Sequence, residues 1–307
     1  MRSRRGFTLI ELIVALVLLL IVSGAVYKLL VNTQRVSRAQ AERVDMQSNM
    51  RAGALLVPAD LRMIGYDSVV AASTQLGVAR TAGSVVPDIL GMAADSIAFR
   101  AIRAAGMICS FPAGNQIVVD TTNYYSAYRL IRATDSLLIY FDNDPATSLD
   151  DGWYARGIAS VGSGTCPAAY GSRAGLTITL ASGSTFRTPG QVSPPDSIQP
   201  GSPFKTFEVM IYKLYQSNGR WYLGARSASA GETSLQPVLG PLAAGGFRLD
   251  YFDSTGVSTT SVPRNVRMIR VTLIAQSAQG VNATGYGGQA LALDSIVTRV
   301  ALRNAMR

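Results

Sequence analysis

Apolar residues form one long run near the N-terminus, whereas later in the chain they occur only in short segments. Residues 7–26 contain a single charged residue, Glu11. A helix of about 20 residues spans the hydrocarbon core of a bilayer. This run therefore predicts a membrane-spanning helix, and the arginines that precede it favour an N-terminus on the cytoplasmic side.

The helical pattern continues beyond the apolar run. Residues 27–52 contain no proline or glycine and are rich in good helix formers. Apolar residues then recur at alternating spacings of four and three, which is typical of one buried helix face. They are Met50, Ala54, Val57, Leu61 and Ile64. We expect the charged residues of this half to be solvated, namely Arg35, Arg38, Glu42, Arg43 and Asp45. Pro58 lacks a backbone donor, so a kink or break is expected there.

After residue 65 the pattern changes to short segments rich in β-branched and aromatic residues, separated by Gly, Ser, Asn and Pro. Alternation within several of these segments predicts β-strands. The predicted strands are 95–102, 115–120, 136–141, 176–180, 207–215, 220–226, 246–253, 266–276 and 295–304. SNG at 217–219 and STG at 254–256 predict two hairpin turns. We expect an α+β fold with the long helix laid on antiparallel sheet and with two β layers.

Composition narrows the possible chemistry. The chain has 28 Lys and Arg against 19 Asp and Glu, and it has no histidine. Histidine bases, triads and metal ligands are therefore excluded. Cys109 and Cys166 follow the membrane segment. In an exported domain they favour one disulfide, whose loop of about 57 residues would contribute roughly 4 kcal/mol. Two buried free thiols are the alternative.

Glu11 is the residue that a simple membrane anchor does not explain. An isolated carboxylate in hydrocarbon costs several kcal/mol. If a peptidase cut between Gly6 and Phe7, a new α-amino group would appear on Phe7. The Glu11 carboxylate of one chain would then find the ammonium of a neighbour, and a buried pair of this kind fixes register.

The stretch RRGFTLIELIVALVLLL, residues 4–20, resembles the class III signal of type IV pilins and type II secretion pseudopilins. The resemblance implies that prepilin peptidase cleaves after Gly6 and N-methylates Phe7, and that Glu11 sets the assembly register. It also implies a pilin-like α+β fold. The chain then divides into a leader at 1–6, a membrane half-helix at 7–30, an exposed half-helix at 31–65 and a β-rich domain at 66–307. A Pro/Gly/Ser-rich loop lies at 187–204.

Several later segments resemble the minor pilins called PilW and, next, the J-type pseudopilins. They are ADLRMIGYD (59–67), DSIAFRA (95–101), FRLDYFDSTG (247–256), VRMIRVTLIAQS (266–277) and TRVALRN (298–304). The resemblance implies a minor pilin that primes a fibre tip, with a minor pseudopilin as the alternative. The implied partners are prepilin peptidase, other pilins or pseudopilins and an inner-membrane assembly platform. The chain would be stored in the inner membrane and then enter an extracytoplasmic fibre.

Three other interpretations compete. An ordinary secretory signal cleaved near Ser23-Gly24-Ala25 would leave Glu11 unexplained. An acidic loop could bind Ca²⁺ through oxygen ligands, although a solvated turn is the simpler explanation. Its carboxylates are Asp142, Asp144, Asp150 and Asp151. DNA binding through Arg299, Arg303 and Arg307 is disfavoured, because scattered strand arginines are usually solvated or paired. We expect no catalysis and no required cofactor.

Overall fold

In the part of the chain that the structure describes, the fold consists of one long helix and twelve β-strands joined by antiparallel pairings. It is seen in a computed structural model that describes residues 8–64, 88–122, 125–126, 130–141, 152–181, 200–258, 262–281 and 290–302. The predicted α+β architecture, a long apolar helix joined to an antiparallel sheet domain, is confirmed.

Helix α1 runs without interruption from Leu9 to Leu61, over 53 residues. The predicted break at Pro58 is wrong, because the helix continues to Leu61 and the Arg62 N–H donates to the Pro58 carbonyl at 3.0 Å. Pro58 removes only one donor, within the final turn of the helix. Its neighbours Val57 and Leu61 are fully buried, so packing offsets that loss.

The strands vary from two to eighteen residues. They are β1 (Ile89–Met92), β2 (Ser96–Ala113), β3 (Gln116–Asp120), β4 (Tyr125–Ser126), β5 (Ser136–Phe141), β6 (Gly152–Thr165), β7 (Ala174–Leu180), β8 (Pro203–Ser217), β9 (Arg220–Ser227), β10 (Gln236–Phe252), β11 (Met268–Val281) and β12 (Ala290–Ala301). Short 3-10 helices lie at Ala168–Tyr170 and Pro263–Asn265. Strands β1, β4 and β6 were not among the predicted ones.

The strands form one continuous sheet that closes on itself at one end, rather than the two β layers expected. Strands β1, β2, β8, β9, β10, β11 and β12 pair in that order and make an open sheet. Strands β2 and β8 are also joined by a second route. Strand β2 pairs with β3, β3 with β7, β7 with β6, β6 with β5, and β5 with β8. The pairings of these six strands make a closed ring, so β2 and β8 belong to both parts.

Each part has its own apolar core. The open sheet is covered by the distal half of α1, and residues such as Met50, Val57, Tyr212 and Leu273 are buried between them. The ring is filled by a separate cluster. Its members are Ala104, Ile108, Ile117, Val119, Ile131, Leu137, Ile139, Ile158, Ile178, Leu180 and Phe204. The helix therefore packs on the open sheet, while the ring is closed by its own side chains.

The two predicted hairpins have different outcomes. Strands β8 and β9 pair from Met210 to the tight turn at Asn218 and Gly219, whose φ angles are 49° and 75°. Positive φ at both positions suits a two-residue hairpin turn, so this prediction is confirmed. The STG segment turns directly after β10, and an antiparallel bridge joins Phe252 and Ser258 across it. Residues 259–261 lie outside the described residues, so the rest of that hairpin stays a prediction, while β10 itself pairs with β9 and β11.

A buried charged cluster lies where the sheet joins the ring. Arg103 is buried, and so are its neighbours Ile102 and Ala104, whereas buried and exposed residues usually alternate along a strand. A register shift between Ile102 and Ala104 in the pairing of β2 with β8 accompanies this burial. The Arg103 guanidinium contacts Asp135 at 2.7 Å and Glu208 at 2.5 Å. Burial is the largest influence on Asp135 and raises the pKa of its carboxyl. The Arg132 N–H, which donates to this carboxylate at 2.8 Å, acts in the opposite direction.

Candidate functional site

The membrane half of α1, residues 9–26, is covered by no other part of the described chain. Its large apolar side chains are exposed throughout. The helix is long and apolar enough to cross a membrane. Because the apolar residues surround the helix on every side, lipid or other helices must cover them. The distal half differs, since its apolar residues face the open sheet.

Glu11 lies in the first turn of α1, and Thr8 is the N-cap residue. The Thr8 N–H and hydroxyl each donate to Glu11 Oε2 at 3.0 Å. In return the Glu11 N–H donates to the Thr8 hydroxyl at 3.4 Å. This reciprocal arrangement is a capping box, which satisfies backbone donors that the first turn leaves unpaired.

The capping box changes the interpretation of Glu11. The carboxylate has hydrogen-bond partners within its own chain, so a neighbouring subunit is not its sole means of compensation. Among the described residues only Oε2 is engaged, and Oε1 accepts no hydrogen bond. This capping box was not predicted, although Thr8-Leu9-Ile10-Glu11 matches the capping-box signature of Thr followed three residues later by Glu.

Several predicted site residues lie outside the described part of the chain. They are Gly6, Phe7, Asp142, Asp144, Asp150 and Asp151. Cleavage, methylation and Ca²⁺ binding at these residues therefore stay predictions. Within the described residues, no group of three or more Cys, Asp or Glu side chains is arranged to hold a metal ion.

The distal half of α1 is fixed to the sheet by polar contacts as well as by its apolar face. Glu42 accepts a hydrogen bond from the Ala278 N–H at 3.0 Å and is half-buried, so the expectation that it is solvated was wrong. The Asn49 amide donates to the Gly240 carbonyl at 3.2 Å. Near the helix end, the Tyr212 hydroxyl donates to Asp60. These contacts hold the helix along the sheet over its last five turns.

The ADLRMIGYD segment has a structural role at this end of the helix. Asp60 accepts from Tyr212, while Leu61 and Ile64 are buried in the main core. The rest of the segment, from residue 65, lies outside the described residues. Of the three arginines considered for DNA, Arg299 is exposed, and Arg303 and Arg307 lie outside the described residues, so DNA binding is untested.

The predicted disulfide is present. Cys109 of β2 is bonded to Cys166, which directly follows β6, and both are buried with Val118. Ile108 and Ile117, the neighbours of Cys109 and Val118, point into the ring. Because side chains alternate along a strand, Cys109 and Val118 point away from the ring interior, so the disulfide lies on the outer face of the ring. It links β2 to the residue that follows β6.

Comparison with known protein families gives a match at the N-terminus. Residues 1–27 match the family model described as the prokaryotic N-terminal methylation motif. The N-terminus is type IV pilin-like. The motif is that of a prepilin peptidase substrate, either a pilin or a pseudopilin, and it fits the membrane-anchoring helix. No curated protein and no solved structure matches the chain.

Proposed function

We propose that this protein is a minor pilin of a type IV pilus. Prepilin peptidase cleaves it after Gly6 and methylates Phe7, and the apolar half of α1 then holds it in the inner membrane. From there it enters the pilus fibre, where it primes assembly at the tip. The protein has a structural role in this proposal and catalyses no reaction.

One observation carries the proposal. The methylation motif, residues 1–27, includes a helix half whose apolar surface the described chain leaves uncovered. An uncovered apolar helix suits both storage in lipid and packing against other helices in a fibre. The distal half, by contrast, is fixed to the domain by Glu42, Asn49 and Asp60. The distal half of α1 therefore belongs to the domain, whereas the surface of the membrane half is available to outside partners.

Glu11 has two roles in the proposal. Its capping bonds to Thr8 begin the helix and lower the cost of placing a carboxylate near the membrane. Its charge then pairs with the methylated ammonium of Phe7 on a neighbouring chain and fixes the axial register. The two roles are separable, because glutamine also serves in capping boxes but carries no charge.

A minor pseudopilin of a type II secretion system is the alternative. The methylation motif serves both kinds of protein, and the PilW-like segments also resemble J-type pseudopilins. Deleting the gene distinguishes them. Loss of surface pili with normal protein secretion supports the pilin, whereas a secretion defect with normal pili supports the pseudopilin.

Mass spectrometry of the mature N-terminus tests the processing step. We expect N-methyl-phenylalanine at position 7 in membranes and in sheared fibres. A mature N-terminus near Tyr27 would contradict the proposal and support an ordinary secretory signal. Replacing Gly6 with a bulky residue should block cleavage, and accumulation of the full-length precursor is the readout.

A further inference from the structure

The open sheet ends on two edge strands, and only one of them is long. Strand β1 has four residues, whereas β12 has twelve and extends over about 40 Å. Strand β12 pairs with β11 on one side. On its other side no described strand pairs with it. An edge of this length presents a row of backbone groups with which a further strand can pair.

The hydrogen bonds of β12 show which of its backbone groups face the free edge. The Leu302 N–H, just after the strand, donates to the Arg267 carbonyl next to β11 at 2.9 Å. Because hydrogen-bonded and non-hydrogen-bonded pairs alternate along antiparallel strands, the odd-numbered residues of β12 point their backbone groups to the free edge. The Ser295 N–H agrees with this assignment, since it donates to the adjacent Asp294 carboxylate at 2.8 Å rather than to β11. The free edge therefore offers alternate N–H and C=O groups over residues 293–299.

The same odd-numbered residues carry exposed side chains on the face of the sheet opposite α1. Leu293 and Val297 are 61% and 56% exposed, and Arg299 is exposed as well. Among the described residues no carboxylate pairs with Arg299, and its cross-strand neighbour Arg270 already contacts Asp250 at 3.0 Å. A strand that fits this edge would therefore place apolar side chains beside Leu293 and Val297 and an acidic one beside Arg299.

A second copy of this chain is a poor occupant of the edge. Two identical chains that share the same edge are related by a two-fold axis. The two β12 strands would then run antiparallel in one continuous sheet, with the axis perpendicular to that sheet. Since α1 lies along the sheet, this axis would also make the two helices antiparallel. Their membrane halves would leave the dimer in opposite directions, which a single membrane does not allow.

We propose that the free edge of β12 binds an extended segment of a different protein, which adds to the open sheet as a further strand. The segment has apolar side chains opposite Leu293 and Val297 and an acidic side chain opposite Arg299. In such a complex the backbone hydrogen bonds give affinity and the side chains give specificity. The inference goes beyond the proposed function, because it concerns a partner of the sheet domain and applies equally to a pilin and to a pseudopilin.

Photo-crosslinking of the full-length protein in cell membranes tests this proposal. A benzoylphenylalanine at position 295 is the probe, because Ser295 is exposed and lies between the two apolar residues. Mass spectrometry then identifies the crosslinked segment. Val297→Pro removes an N–H from the free edge, whereas Val297→Ile keeps both this donor and an apolar side chain. Arg299→Glu reverses the charge at the edge, and Arg299→Lys keeps it.

We expect the probe to crosslink to a segment of a different protein. That segment should have apolar residues two positions to either side of the crosslinked residue and an acidic residue four positions away. Val297→Pro should lower the yield at least about tenfold, because it removes a hydrogen bond and hinders the approach of a strand. Arg299→Glu should lower it about threefold, because a single exposed ion pair is weak. The isoleucine and lysine variants should crosslink like the wild type.

Several outcomes would overturn the inference. They are crosslinks mainly to a second copy, crosslinks within the same chain, no crosslink, a segment without the apolar and acidic residues, and a yield that neither Val297→Pro nor Arg299→Glu lowers. If Val297→Pro reduces the amount of folded protein, Arg299→Glu decides alone, because it changes only an exposed side chain. The crosslinks are measured in membranes, before fibre assembly, so their failure would leave the proposed function untouched.

Discussion

The two halves of α1 belong to one continuous helix but have opposite surroundings. Residues 9–26 are apolar on all sides and touch no other part of the described chain. Residues 42–61 are amphipathic, and their apolar face is buried on the open sheet. The same backbone geometry therefore serves two environments, and the side-chain pattern alone selects between them.

This difference shows where each half obtains its stability. The distal half is held by its own chain, through burial of residues such as Met50 and Val57 and through the contacts of Glu42 and Asn49. The membrane half has its capping box at Thr8 and Glu11 but no tertiary contact in the described structure. Its partners must come from outside, first lipid and then other helices.

Removing residues 1–30 should have the largest effect and should separate the roles of the two halves. We expect total loss of membrane association, because the segment that is apolar on all sides is gone. The domain should keep its unfolding midpoint, since the described residues of the removed segment, 8–30, are all exposed. Membrane flotation and urea unfolding measure the two effects. A truncated protein that no longer unfolds cooperatively would contradict the separation of the two halves.

The disulfide should matter for the ring alone. In the truncated protein, replacing Cys109 and Cys166 with alanine should lower the free energy of unfolding by about 4 kcal/mol, because the unfolded chain loses a long cross-link. In the full-length protein the same change should leave membrane association unaltered. Urea unfolding and flotation provide the measurements. A loss below about 1 kcal/mol would show that the other strand pairings already hold the ring.

Two glycines on α1 provide a matched test of the two halves. A Cβ on Gly53 would meet the Leu239 side chain at 2.5 Å, whereas a Cβ on Gly24 has no atom within 4 Å. Gly53→Leu should therefore destabilise the domain by about 2 kcal/mol through overpacking. Gly24→Leu should leave its thermal unfolding unchanged. Equal effects of the two substitutions would mean that the helix does not approach the sheet as closely as described.

Asp135 gives a smaller effect that depends on pH. Burial raises the pKa of its carboxyl, so the unfolded chain loses this proton at a lower pH than the folded protein. Stability contributed at this site is therefore complete below about pH 4 and falls as pH rises toward the folded pKa. Asp135→Asn removes this slope. The unfolding free energy of the wild type minus that of the variant should decrease as pH rises over that range. An increase with pH would mean that the attraction of Arg103 for the carboxylate outweighs the effect of burial.

The sequence predicted the helix and most strands because their signals are local. The apolar run, the 4-3 spacing around Val57 and the alternation in β8 each reflect one element and one face. Strand β5 was predicted with its observed bounds, at Ser136–Phe141. These elements follow the rule that a buried face repeats with the period of its own backbone.

Features that depend on distant residues escaped prediction. Strand β6 is rich in Gly and Ser, and a Cβ on Gly164 would meet the Thr177 hydroxyl of β7 at 2.5 Å. Its composition therefore reflects close strand approach rather than alternation. Ring closure depends on β2 and β8, which pair with each other and also with β3 and β5. The burial of Arg103 depends on a register shift between β2 and β8. None of these is visible in a short window of sequence.

The residues of the candidate site were predicted from the sequence, but their hydrogen-bond geometry was not. The methylation motif and the unusual Glu11 were visible in the sequence, since both lie within a few residues. The capping box was not predicted, although its signature in Thr8 and Glu11 is equally local. The half-buried Glu42 was out of reach, because its partner Ala278 lies 236 residues away.

Incorporation of Glu11 variants into fibres tests the central claim most directly. Glu11→Gln keeps a side chain that can form the capping box but removes the charge, and Glu11→Ala removes both. Quantifying mature protein in membranes and in sheared fibres separates processing from assembly. We predict normal processing of both variants and strongly reduced incorporation of both, because the charge sets the register. If Glu11→Gln entered fibres as well as the wild type while Glu11→Ala did not, helix capping alone would explain Glu11, and the register role would be contradicted.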